Sequence, residues 1–122
     1  MKRVLVMGIM LFSQLLVGNL QAGPNQDFTL VNKTGYVLDQ VYVSPANSND
    51  WEEDVLGQDT MGDGDVVPIH FSRNATGCEW DLKVVYADDD SSAVWSNIDL
   101  CSVSKITIRW NKSSGETTAQ YD

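Results

Sequence analysis

Positive charge is scarce in this chain. Against 17 Asp and Glu side chains it carries 8 Lys and Arg and a single histidine, which gives a formal net charge of -9. No Lys or Arg occurs from position 35 to position 72. So negative a field repels nucleic acid and anionic lipid. The composition therefore argues against both as partners and admits a basic protein, a cationic peptide or a metal ion.

Cysteine is also scarce, with Cys78 and Cys101 as the only pair. There is no CxxC motif and His70 stands alone, so ligands for a structural zinc ion are lacking. An even cysteine count in an exported chain favours one disulfide, which would stabilise the fold by roughly 3 kcal/mol in the chain-entropy model. We expect the disulfide at neighbouring strand ends, with two free thiols as the alternative.

Long apolar runs are confined to the N-terminus. Lys2 and Arg3 precede an apolar stretch at 4–17, and a cleavage site follows at Ala22, the order typical of a secretory signal peptide. Cleavage would leave residues 23–122 as a single β domain of 100 residues with 6 basic and 17 acidic side chains, a net charge of -11. We predict a secreted or periplasmic protein with no membrane insertion after cleavage; a retained N-terminal anchor is the alternative.

Apolar residues alternate with the strand period in most of the remaining chain. The runs cover residues 27–32, 36–44, 65–71, 79–87, 93–101 and 103–110. Pro68 lacks an amide hydrogen, which places the third run at a sheet edge, and the polar residues 88–92 form a hairpin turn. The polar tail from about residue 111 is expected to fray. The pattern predicts an all-β fold, a small antiparallel β-sandwich of about six strands.

The cysteines conflict with an uninterrupted hairpin between the fourth and fifth runs. Placing Leu100 on the core face beside Trp80 turns Cys101 to the other face, because side chains alternate along a strand. Pairing Cys78 with Cys101 instead turns Leu100 away from the core. A β-bulge near residues 96–97 would insert one residue and reconcile both requirements.

Residues 47–65 hold seven carboxylates and one tryptophan, with no basic side chain. One explanation is a short helix in the 49–57 connection. Asn49 would cap its first turn, with Glu52 three residues on as the partner in a capping box, and Gly57 would end it in a left-handed conformation. This interpretation accounts for the first acids without any ligand.

Two functional interpretations of residues 47–65 stay open beside the helix. Asp59, Asp63 and Asp65 lie in the glycine-rich second part and offer the oxygen ligands that calcium prefers, although their spacing does not match the EF-hand pattern. Alternatively, Trp51 with Glu52 and Glu53 forms a recognition surface for a basic protein partner, because exposed aromatic residues serve as interface anchors.

The sequence predicts no catalytic residues. A Ser-His-Asp arrangement would depend on His70, which lies on a strand run beside Pro68. Paired carboxylates are so abundant here that any two can meet by chance. The leading hypothesis is therefore an exported non-catalytic binding module; the alternatives are a calcium-binding structural domain and a small metal-dependent enzyme.

Two segments carry a resemblance to known proteins. The stretch YVSPANSNDWEEDVLG at 42–57 and the strand CEWDLKVVY at 78–86, followed by Trp95 and Cys101, resemble an uncharacterised family of small exported bacterial proteins. The resemblance covers about residues 28–101. Some members of that family are mislabelled as argininosuccinate lyase, which is a large helical cytosolic enzyme. The resemblance implies export and a compact β domain, and it adds no catalytic residue.

Overall fold

β-Strands form the framework of the part of the chain that the computed structural model describes, residues 25–72 and 74–122. The predicted signal peptide at 1–22 lies outside it. Seven strands occur there: β1 (Phe28–Lys33), β2 (Leu38–Pro45), β3 (Val66–Ile69), β4 (Glu79–Tyr86), β5 (Ser92–Asp99), β6 (Lys105–Asn111) and β7 (Glu116–Tyr121). Within these residues, no helix has the length and apolar character that crossing a membrane requires.

The strands form two sheets. The first has the order β3-β1-β6-β7 and the second the order β2-β4-β5. Neighbouring strands are antiparallel except β1 and β6, which are parallel. The predicted all-β sandwich is confirmed. Pro68 lies in β3, which is an edge strand as its missing amide hydrogen predicted.

One hydrophobic core lies between the sheets. The first sheet contributes Phe28, Leu30, Ile69, Ile106 and Ile108; the second contributes Leu38, Val41, Trp80, Leu82, Val84, Tyr86 and Ile98; Met61 and Leu100 join from the connections. These side chains are at most 8% exposed. Burying this apolar surface is the main favourable term in the stability of so small a fold.

The C-terminal residues pair with the first sheet, so the expectation of a frayed tail from about residue 111 is wrong. Glu116–Tyr121 form β7, an edge strand antiparallel to β6. The prediction failed because this strand is polar and shows little apolar alternation. Its backbone bonds to β6, and the hydroxyls of Tyr86 and Thr117 share a hydrogen bond of 2.6 Å that ties it to the second sheet.

A β-bulge at residues 96–97 confirms the solution proposed for the cysteine conflict. Trp80 faces Ile98 while Leu82 faces Trp95, so two residues of β5 oppose Asp81 alone. Asn97 adopts a positive φ of 58°, and its amide donates to Asp81 Oδ1 at 2.9 Å. The extra residue brings Trp95, Ile98 and the following Leu100 onto the core side.

The disulfide joins Cys78 and Cys101, as predicted, where β4 begins and β5 ends. Their Cα atoms are 5.2 Å apart. Both expected pairings of the strands were out of register, however, because Cys78 lies opposite Leu100, whose amide donates to the Cys78 carbonyl at 2.8 Å. Cys101 reaches Cys78 from the turn that follows β5, one residue beyond the strand pairing.

The predicted helix in the 49–57 connection is wrong. Residues 51–54 have no regular structure and residues 55–58 form a turn, in which Gly57 does adopt the expected left-handed φ, 66°. Asp54 instead accepts hydrogen bonds from the amides of Val41 at 2.8 Å and Leu56 at 3.0 Å. Because so short a helix is costly to nucleate, these bonds to a sheet edge prevail over the local capping signals.

Asn32 is a buried polar side chain with both ends satisfied. Its Nδ2 donates to the carbonyls of Tyr36 at 2.8 Å and Met61 at 3.0 Å. Its Oδ1 accepts from the Thr34 amide at 3.1 Å and hydroxyl at 2.7 Å. One side chain therefore fixes the turn after β1 and joins it to the connection that precedes β3.

We expect the disulfide to be complete in the exported protein. Denatured without reductant, the protein should take up no alkylating reagent by intact mass; after reduction it should take up two equivalents. Replacing both cysteines by serine should lower the free energy of unfolding by about 3 kcal/mol. Two thiols alkylated before reduction would contradict this pairing.

Candidate functional site

Aspartate side chains serve mainly as acceptors for backbone amides in the loops. Among the described residues, seven aspartates accept at least one amide hydrogen bond: Asp27, Asp54, Asp63, Asp65, Asp81, Asp89 and Asp99. A carboxylate is a strong acceptor for an N–H group that a strand or turn leaves unpaired. Much of the acidic composition therefore has a structural role that needs no ligand.

The three carboxylates predicted to hold calcium are not brought together. Asp63 accepts from the Gly35 amide at 2.8 Å and Asp65 from the Gly62 amide at 2.7 Å, so each braces a different part of its loop. In the described part of the chain, Cys78, Asp99 and Cys101 are the group with three ligand atoms within 4.8 Å of one another, and the two cysteines are already joined. Asp59 is exposed and belongs to no such group.

Trp51 packs on the outer face of the second sheet. Its ring centroid lies 6.4 Å from that of Tyr42, and Lys83 Nζ lies 5.9 Å from the Trp51 ring and 5.6 Å from the Tyr42 ring. Tyr42 and Lys83 face each other across β2 and β4. The half-buried tryptophan thus holds residues 47–54 against the sheet and leaves the side chains that follow it exposed.

Those side chains, Glu52 and Glu53, lie on the rim of a groove of about 400 Å³. The groove opens where β2 and β3 end and β4 begins. Its apolar wall consists of Val43, Pro45, Val55, Ile69, Phe71, Ala75 and Trp80. Phe71 and Trp80 pack edge to face, with centroids 4.8 Å apart. We call this site the glutamate groove.

His70 stands on the same rim, paired with Asp27. His70 Nδ1 lies 3.0 Å from Asp27 Oδ2, and the other oxygen of Asp27 accepts from the Phe71 amide at 2.8 Å. The hydrogen bond from His70 and that from Phe71 lower the pKa of Asp27. His70 is 73% exposed, so the pair holds the end of β3 at the surface and leaves the imidazole in contact with solvent.

The sequence predicted the acidic rim of this groove but not its apolar wall. Trp80 lies in the second sheet, whereas Phe71 follows β3 of the first sheet and Ala75 comes from the β3–β4 connection. No local pattern reports a contact between residues so placed. The one usable signal is Phe71, which extends the apolar alternation of β3 beyond the end of the strand.

No protein-family model, no curated protein and no solved structure matches this chain. The resemblance to a family of small exported proteins therefore stays a prediction.

The Asp27–His70 pair predicts an acid-sensitive contribution to stability. Because the pKa of folded Asp27 lies below its ordinary value, the charged carboxylate stabilises the fold above about pH 4, and this contribution is lost as pH falls through the folded pKa. Asp27→Asn should cost a few tenths of a kcal/mol at pH 6, since the pair is solvent-screened, and less than that at pH 2.5.

Urea denaturation of both proteins at these two pH values measures the effect. Asp90→Asn is the control, because Asp90 is exposed in the β4–β5 turn and asparagine tolerates its positive φ of 60°. A cost for Asp27→Asn that is equal at both pH values would show that the carboxylate charge contributes nothing.

Proposed function

We propose that this protein is an exported, non-catalytic binding module that holds a basic segment of a protein partner in the glutamate groove. The observation that carries the proposal is the combination of an apolar wall with Glu52 and Glu53 on one rim. Trp51 supports the pair, because its packing on Tyr42 fixes the segment that carries them.

Charge complementarity selects the occupant. The whole chain has a formal net charge of -9, and residues 35–72, which supply most of the groove, contain no Lys or Arg. A negative field steers a cationic segment toward the surface and disfavours an anionic one. The occupant best suited is therefore an extended peptide with Lys or Arg beside an apolar side chain.

The shape of the groove supports the same choice. Interfaces combine an apolar centre with a polar rim, and the Phe71–Trp80 pair supplies such a centre beside the two glutamates. An apolar side chain of the partner would cover the aromatic pair, while its Lys or Arg neighbours would reach Glu52 and Glu53.

Calorimetric titration with a short peptide that alternates Lys and Leu tests the proposal. Binding should be detectable at low salt and should weaken from 50 to 500 mM NaCl, because exposed charges are screened. A control peptide that alternates Glu and Leu should not bind. Glu52→Gln with Glu53→Gln should weaken binding about three- to tenfold, since exposed ion pairs contribute roughly 0.2–1 kcal/mol each.

A matched variant separates the groove from net charge. Glu79→Gln with Glu116→Gln removes the same two charges at exposed positions outside the groove and should leave the affinity within twofold. Equal weakening by the two double variants would contradict a site at the groove.

Chelation by EDTA should leave the melting temperature unchanged; a fall on chelation would instead support the calcium-binding alternative.

A further inference from the structure

A second cleft lies at the opposite end of the sandwich from the glutamate groove. It has a volume of about 130 Å³ and is lined by Tyr36, Tyr86, Asp88, Asp89, Ser91 and Trp110. The β1–β2 connection supplies Tyr36, the β4 end and the β4–β5 turn supply the next four, and β6 supplies Trp110. We call it the aromatic cleft.

Three aromatic rings of this cleft stand nearly perpendicular to one another. The ring of Tyr36 lies 6.0 Å from that of Tyr86 at 87° and 6.4 Å from that of Trp110 at 89°. Tyr86 and Trp110 are also 6.4 Å apart, at 79°. Aromatic faces carry negative potential and attract a cation within about 6 Å of the ring centroid. The three rings line the cleft and pack against one another edge to face.

Hydrogen bonds fix the side chain of Tyr86 and the backbone of Tyr36 before any ligand arrives. Tyr86 is buried and its hydroxyl is engaged by Thr117. The backbone of Tyr36 is fixed at both polar groups, because its amide donates to Thr34 Oγ1 at 3.1 Å and its carbonyl accepts from Asn32 Nδ2 at 2.8 Å. A site that is rigid beforehand loses less entropy on binding.

Two carboxylates complete the rim. Asp89 accepts from both the amide of Ser91 at 3.0 Å and its hydroxyl at 2.7 Å, and these bonds lower the pKa of Asp89, which keeps it ionised. Burial raises the pKa of Tyr86, so its phenol stays neutral. The cleft therefore presents negative potential from ring faces and carboxylates together.

The size and chemistry of the cleft select the ligand. Pockets for whole small molecules measure about 300–1,000 Å³, so this cleft takes only a head group. Ring faces accept hydrogen bonds only weakly, so the N–H donors of a primary ammonium would be satisfied only on the side of the cleft where Asp88 and Asp89 lie. A methylated ammonium has no such donors and gains from apolar contact as well as charge.

We propose that the aromatic cleft binds a quaternary ammonium head group, with Tyr36, Tyr86 and Trp110 around the methyl groups and Asp88 and Asp89 as counter-charges. This site is separate from the glutamate groove and does not rest on the function proposed there. The same chemistry occurs in free choline and in a phosphatidylcholine head group.

NMR titration of the disulfide-intact, ¹⁵N-labelled protein with choline chloride tests the proposal. The Trp110 indole and Tyr36 amide signals should shift with a millimolar dissociation constant. The neutral isostere 3,3-dimethylbutan-1-ol, which has the same shape without the charge, should bind at least fivefold more weakly. Co-sedimentation with phosphatidylcholine vesicles, and its inhibition by choline, distinguishes a lipid head group from the free solute.

Matched variants locate the site. Tyr36→Leu should weaken choline binding roughly two- to fivefold, the loss expected for one exposed cation–π contact. Tyr121→Leu is the control, because Tyr121 is also 44% exposed but lies outside the cleft. Asp89→Asn should weaken binding more than Asp90→Asn. Equal affinity for choline and its neutral isostere, or equal losses for Tyr36→Leu and Tyr121→Leu, would overturn the proposal.

Discussion

One buried side chain, Asn32, fixes the loops at one end of the sandwich through its hydrogen bonds. It emerges near the end of β1 and ties together the Tyr36 turn and the Met61 segment, two stretches that are far apart in sequence. Its own amide donates to the Asp65 carbonyl at 3.0 Å, which adds the loop before β3. Because buried polar groups are costly when unpaired, a network satisfied at both ends specifies one arrangement of these loops. Residues 47–65, which we call the acidic connection, and the aromatic cleft both depend on these hydrogen bonds for their position.

Aspartate plays the corresponding role at the surface. Asp54 bonds the Val41 amide at the open edge of β2, and Leu38 pairs with Met61 further along the same edge. The acidic connection thus covers an edge strand that would otherwise offer free backbone groups to another chain. These carboxylates also give the molecule its negative field.

Much of this fold could be predicted from the sequence, since apolar alternation reports which residues face a core. The conflict between Cys101 and Leu100 even located the bulge at residues 96–97. The residues of β7 are mostly polar and show no apolar alternation, so the sequence did not predict this strand. The helix at 49–57 failed because Asp54 bonds to Val41, thirteen positions earlier, in preference to its own turn. Both clefts lay beyond prediction, because their walls combine side chains from separate sheets whose relative placement no local pattern encodes.

The most direct test of this account is the change in free energy of unfolding caused by Asn32→Ala, measured by urea denaturation. The substitution removes one donor from each of the Tyr36 and Met61 carbonyls and the acceptor for the amide and hydroxyl of Thr34, so the predicted loss is about 2–4 kcal/mol. Asn111→Ala provides the scale, because Asn111 is exposed and its Oδ1 accepts only from the turn amides of Ser113 and Ser114. A loss for Asn32→Ala no larger than that for Asn111→Ala would contradict the central role of the buried network.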